Sequence, residues 1–180
     1  MPSILLLPDR PVRDVRCGRG FRHVLRAATH SSRRVVAVCG GLRYHHFVDL
    51  LQLVAELDEL LEAEGTSDYC PNGLQVEGAP EVRRIVTAVS ASQELFDRAV
   101  EVDAEAVIVH HGILWNSSEA ARIIGSFRDR IRLLIENRIS LIAYHLPLDR
   151  HLELGNAAQL ALRLGLEELE PFGMHNGAPA

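Results

Sequence analysis

From Phe47 onward the apolar positions fall into two alternating periods. Phe47, Leu50, Leu51, Val54, Leu57 and Leu61 recur at helical spacing and stop before Gly65, which predicts an amphipathic helix. The next stretch, TSDYCPNGLQVEGAPE (66–81), is crowded with Pro, Asn and Gly and reads as an ordered loop. RRIVTAVSA (83–91) then predicts a strand, followed by a capping-box-like Ser90 to Gln93 and a helix burying Leu95, Phe96, Ala99 and Val100. AEAVIVHH, ending at His111, predicts a second strand. After a break at Gly125, Ser126 is placed to cap a helix burying Phe127, Ile131 and Leu134, and ISLIAYH (139–145) predicts a third strand. Asn156 is placed to cap a fourth helix that buries Ala157, Leu160, Ala161 and Leu164 and ends at Gly165.

The predicted strands are nearly continuous apolar runs, a pattern that calls for burial on both faces. The fold class is therefore α/β, with a parallel-sheet βαβαβ core and covering helices. The 180 residues and 47 % hydrophobic content suffice for one domain with its own core. No apolar run approaches the roughly 20 residues of a membrane-spanning helix, and the opening MPSILLLPDRPVR is a poor secretory signal. Three cysteines (Cys17, Cys39, Cys70) without a CxxC pair suggest neither a disulfide framework nor a zinc knuckle, so a reducing, cytoplasmic setting is expected.

Charge divides the chain. Residues 1–46 hold nine Arg against Asp9 and Asp14, and the remainder holds ten Arg against twenty-two acids, giving about +7 and about −12. Residues 1–46 read first as a basic, unstructured extension; a nucleic-acid-binding arm and an organelle transit segment are the alternatives. The expected domain is 47–173, with 174–180 as a tail.

Open parallel sheets bind ligands beyond the carboxyl ends of their strands. Two of the three predicted strands end there in histidine: His110 and His111 on the second, His145 on the third, with Asp149 in the loop beyond. Imidazole and carboxylate suit zinc, iron, manganese or nickel. Because consecutive residues of an extended chain point in opposite directions, His110 and His111 are expected to straddle two ions, with Asp149 supplying oxygen. His23, His30, His45, His46, His151 and His175 have no comparable placement. Trp115 is expected in the core or at a pocket edge, and Cys70 as a packed small hydrophobe.

DYCPNGLQVEG (68–78), AVSAS (88–92), VIVHHGILW (107–115) and AYHLPLDRHLELGN (143–156) together resemble the dinuclear-metal-centre hexameric proteins, the NGG-interacting-factor-like family often labelled GTP cyclohydrolase 1 type 2 homologues. The resemblance covers residues 47–173, about two thirds of the chain, and matches the family's amino-terminal half. It implies metal-ligand positions at His110, His111 and Asp149, a place close to the site for His145, two divalent metals per subunit, and a ring-shaped homohexamer. It also implies a metal-dependent hydrolase of a nucleotide-like or other small substrate, with metal-bound hydroxide as nucleophile. Three departures qualify this. The family's HxxxE helix is absent from these 180 residues, residues 1–46 have no family counterpart, and Ser90 stands where Asp is common. A truncated two-half α/β fold binding one ion or none is the corresponding expectation. The alternative functions are a non-catalytic metal-binding assembly or regulatory module and an inactive remnant.

Overall fold

The computed structural model describes residues 3–6, 47–115, 122–167, 170, 174–175 and 178–179. The chain divides into two compact units, one of residues 1–6 with 48–180 and the other Leu7–Phe47, of which only Phe47 is described. The basic segment, with its nucleic-acid and transit readings, thus lies outside the described residues apart from Ser3–Leu6, as do Cys17, Cys39, His23, His30, His45 and His46.

The first unit is built on a mixed sheet of five strands: β1 (Ser3–Leu6), β3 (Gly73–Val76), β5 (Arg84–Ser90), β6 (Ala106–His111) and β7 (Ser140–Ala143), in the order β1-β5-β6-β7-β3. The central three are parallel, as expected; both edges are antiparallel. Neither edge strand was expected. Ser3–Leu6 belongs to the segment read as an extension, and Gly73–Val76 to the segment read as a loop. Residues 66–81 are short in apolar runs because β3 covers only an edge, and Gly73 enters it at φ +90°, a conformation that favours glycine. A two-stranded ribbon pairs β2 (Val48–Asp49) with β4 (Glu81–Val82), and another pairs β8 (Met174–His175) with β9 (Ala178–Pro179).

Side-chain alternation explains the continuous apolar runs. Val86, Val107, Val109, Leu141 and Ala143 share one core with Leu95, Phe96 and Ala99 of α2 (Gln93–Glu101) and Leu134 of α3 (Gly125–Glu136). Ile85, Ala106, Ile142 and Tyr144 share the other with Leu50, Val54, Leu57 and Leu61 of α1 (Leu50–Leu60) and its end. The sheet is therefore a filled middle layer, with one helix on one face and two on the other. On α1 the exposed Leu51 and the preceding Phe47 depart from the expected stripe.

Three predicted caps shift by a residue or two. Asp49 caps α1 by accepting from Leu51 N and Gln52 N, both at 3.0 Å. Ser92, not Ser90, caps α2, accepting from Leu95 N at 3.2 Å. Ile124 and Gly155 hold the cap positions expected for Ser126 and Asn156, without side-chain caps, because each helix starts one or two residues early. The last helix, α5 (Asn156–Arg163), buries Ala158 rather than the expected face. Ala157 and Leu160 are exposed, and Leu164 is 67 % exposed, within a run of outward Leu160, Leu162, Leu164 and Leu166. No helix among the described residues is long and apolar enough to cross a membrane.

One polar tie crosses the α1 face. Buried Tyr144 donates its hydroxyl to Asp58 Oδ1 at 2.7 Å and contacts Val54 O at 3.3 Å. Burial, then the Asp58 bond and its charge, push the phenol pKa up. With a raised folded pKa, this tie stabilises fully below pH 10.0, the phenol's ordinary value, and wanes only above it. Tyr144→Phe is expected to cost about 1–2 kcal/mol at neutral pH by urea unfolding; an unchanged midpoint would show that the tie adds nothing.

Candidate metal centre

The parallel register places the candidate residues at one end of the sheet, beyond the carboxyl ends of its central strands. Ser90 pairs with His111 across β5 and β6, and Val109 with Ala143 across β6 and β7, so His110 and His111 stand beside the exit of β7. The chain leaves β7 through Tyr144, whose N donates to Val109 O at 3.0 Å, and His145 begins the one-turn helix α4 (Leu146–Asp149). His145 therefore lies just past the strand, and Asp149, expected in a loop, sits one helical turn on. Its N donates to His145 O at 3.1 Å.

The three imidazoles converge. Ring centroids are 4.4 Å apart for His110 and His111, 4.9 Å for His110 and His145, and 5.5 Å for His111 and His145. One nitrogen from each lies within 4.8 Å of the other two, so these three residues could form a metal site. Although consecutive residues of a strand point apart, the rings of His110 and His111, the last two residues of β6, come to 4.4 Å of each other. Asp149 stands outside that mutually close set. Its Oδ1 lies 3.1 Å from His110 Nε2 and accepts from Asn156 Nδ2 at 3.0 Å.

The site's electrostatics favour a cation. His110 Nε2 is buried, and although Asp149 Oδ1 is near, the direction misses, leaving it without a hydrogen bond among the described residues. An orphaned buried nitrogen costs about 1–3 kcal/mol, which a bound cation would recover. For His111, burial and then the neighbouring His110 and His145 lower the pKa, against the pull of Asp149, so its neutral form is favoured. His111 Nδ1 is 3.1 Å from Ser90 Oγ, the position where the resemblance has a carboxylate. These features fit a divalent metal.

Sequence reasoning missed Asp68. Its side chain is 2 % exposed and meets His145 Nδ1 at 2.8 Å. It also accepts from Leu146 N at 2.8 Å, Cys70 N at 3.1 Å and Asn72 Nδ2 at 3.0 Å. Burial raises its pKa, but these bonds outweigh burial and bring it down to about 2. Antiparallel pairing of Gly73 with Ala143 is what delivers the 68–72 loop to this end of β7. The available signal was DYCPNG, a dense turn sequence immediately before an edge strand.

The same segment supports the His110–His111 strand end. Gln75 Oε1 accepts from Ile113 N at 3.0 Å and Leu114 N at 3.2 Å, and its Nε2 donates to Pro71 O at 2.9 Å and Cys70 Sγ at 3.1 Å. A Cβ at Gly112 would collide with the Gln75 side-chain amide, so a larger residue there would displace that amide from these hydrogen bonds. Cys70 is buried, and burial pushes its thiol pKa up, as suits a packing residue. Trp115 borders the site: it is 40 % exposed, donates Nε1 to Gly112 O at 3.1 Å and stands edge-on to His145 at 5.4 Å. His151 is occupied elsewhere, its Nδ1 accepting from Glu153 N and Leu154 N.

The model of the Duf34/NIF3 (NGG1p interacting factor 3) family matches residues 48–178. This chain belongs to that family. Among curated relatives of this Duf34/NIF3 chain, a GTP cyclohydrolase 1 type 2 homolog of Pseudomonas aeruginosa is 54 % identical over 125 residues, covering 69 % of this chain and 49 % of that protein. One of Escherichia coli is 52 % identical over 119 residues, covering 64 % of this chain and 48 % of that protein. The solved protein ybgI, titled as of unknown function, superposes with a TM-score of 0.64 at 51 % identity, over 66 % of this chain and 47 % of that one. TTHA1606 from Thermus thermophilus gives 0.66 at 40 % identity, over 69 % and 51 %. The Duf34/NIF3 chain thus spans about half the length of the curated relatives it matches.

Gln75→Leu should strip two backbone N–H groups of their acceptor beside the histidine pair. We expect a loss of about 2 kcal/mol in denaturant unfolding; a change under about 0.5 kcal/mol would show that Gln75 does not hold this loop.

Proposed function

We propose that this Duf34/NIF3 chain is a metal-dependent hydrolase acting on a nucleotide-like or other small substrate, with His110, His111 and Asp149 as metal ligands. The observation carrying this reading is the convergence of three imidazoles at neighbouring strand tips, one with a buried nitrogen lacking a hydrogen bond. The relatives' name, GTP cyclohydrolase 1 type 2 homolog, supports the substrate class. A divalent ion, when bound, supplies Lewis acidity and lowers the pKa of bound water. The chain's residues do the rest: Ser90 orients His111 and Asn156 holds Asp149. The half-exposed indole of Trp115 offers a flat face at the mouth for an aromatic ring. A reducing, cytoplasmic setting suits the free Cys70 thiol.

A second reading, a non-catalytic assembly module, is favoured by the outward Leu160, Leu162, Leu164 and Leu166. The partner we propose is further copies of this chain, in the hexamer that the resemblance implies. Sedimentation of the full chain decides it: an oligomer dispersed by Leu160→Glu with Leu164→Glu supports it, and a monomer at all concentrations sinks it.

Metal analysis of purified protein tests the first reading. We expect roughly one ion per chain, lost in His111→Ala and held more weakly below pH about 6, since ligand imidazoles must be neutral. Less than about a fifth of an ion per chain, or an unchanged content in His111→Ala, would contradict it. Restoring a carboxylate with Ser90→Asp should tighten zinc binding roughly tenfold by calorimetry. Hydrolysis of a nucleoside triphosphate panel, followed by chromatography, should depend on the metal and vanish in His111→Ala.

A further inference from the structure

We infer that the outer edge of β5 is a strand-pairing interface, and that Ser3–Leu6 is its resident occupant, a strap that keeps a second copy of this chain from pairing there.

Left open, β5 would be a hazardous edge. Four of its seven residues, Ile85, Val86, Thr87 and Val89, are β-branched, its only charge is Arg84 at the start, and it contains no proline. On one side it is paired in parallel with β6. On the other, its backbone N–H and C=O groups need partners, and an open edge of this composition pairs readily with another chain. The far edge of the sheet is guarded differently. β3 has four residues, starts at Gly73 two positions after Pro71, and carries a register shift between Leu74 and Val76, features that discourage a further strand. β5 has none of these devices, so its protection comes from being covered by β1.

That cover is regular but short. Ser3 pairs with Thr87, Ile4 with Val86, Leu5 with Ile85 and Leu6 with Arg84, antiparallel and without a shift. Among the described residues the pairing stops at Thr87, and Val89 beyond it is 65 % exposed. The new edge that β1 presents is itself blunted, since it has four residues, with Pro2 before them and Pro8 after.

The way β1 is tethered favours the chain's own strand over one from a second copy. Leu6 lies opposite Arg84 and Val48 opposite Val82, so the partners of the two residues that flank the Leu7–Phe47 unit are separated only by Arg83. A tether that ends where it began returns β1 to this edge at high effective concentration, whereas a strand from another copy must be drawn from solution. Ser3–Leu6 also lies outside residues 48–178, so the strap is supplied from beyond the family-matched part of the chain.

Hydrogen exchange and sedimentation of the full chain carrying Ile4→Pro with Leu5→Pro test this. One of two consecutive strand residues must direct its N–H toward β5, and proline has none. Those amides of Arg84–Thr87 that face β1 should exchange roughly tenfold faster or more than in the wild type, while Leu141–Ala143 of β7 keep wild-type protection. The variant should also sediment as a larger species than the wild type at equal concentration. Faster exchange without a larger species would overturn the guarding role, and unchanged exchange would overturn the pairing itself. With the strand left intact, Ser3→Cys with Thr87→Cys should cross-link within one chain on mild oxidation, seen by peptide mapping and a monomeric band on a non-reducing gel. A cross-link between two chains would overturn the assignment of β1 to its own sheet. If the β7 amides of the proline variant lose protection as well, the cysteine pair decides alone, and no cross-link between positions 3 and 87 would overturn the pairing.

Discussion

The parallel register of β5, β6 and β7 sets the position of every candidate ligand. Ser90 opposite His111, and Val109 opposite Ala143, fix how far each strand projects before its chain turns away. That register is enforced by burial on both faces. A one-residue slip would carry Val107 and Val109 from the α2–α3 core into the α1 core, and Ala106 and Ile108 the other way, disrupting both at once. The imidazole cluster is therefore anchored in a layer that the packing on either side holds still.

Upon that layer sits a polar network supplied by sequence-distant segments. Asp68 is the most constrained member: a nearly fully buried carboxylate that receives four hydrogen bonds and is held ionised by them, with its pKa at about 2. Such a group would be costly to bury unpaired. Its partners, including His145 and the N-terminus of α4, are in turn held by it, and Gln75 does the same for the loop after His111. The apolar core places the strands, and the 68–75 segment orients what projects from them.

The sequence made the parallel core legible because its apolar runs are continuous, and made His110 and His111 legible because they interrupt one of those runs at its end. Asp149 was visible through its spacing from His145, although the helical turn that carries it was not. Edge strands were hidden: β3 lies in a segment dominated by Pro, Asn and Gly, and β1 lies in an arginine-rich segment. Missing β3 meant missing Asp68, since only the antiparallel pairing with β7 brings that loop to the histidines. The α5 face was misjudged for another reason. Periodicity reports that leucines share a side of the helix, and here that side looks outward. The family resemblance implied ligand positions at His110, His111 and Asp149 and a place near them for His145, which stands beside both histidines.

Anomalous diffraction from zinc-soaked crystals of the full chain, recorded at the zinc edge, bears most directly on the claim that these strand tips share a cation. A peak is expected about 2.0–2.2 Å from ligand atoms drawn from His110, His111 and Asp149. A peak elsewhere, or none at saturating zinc with these side chains ordered, would contradict that claim.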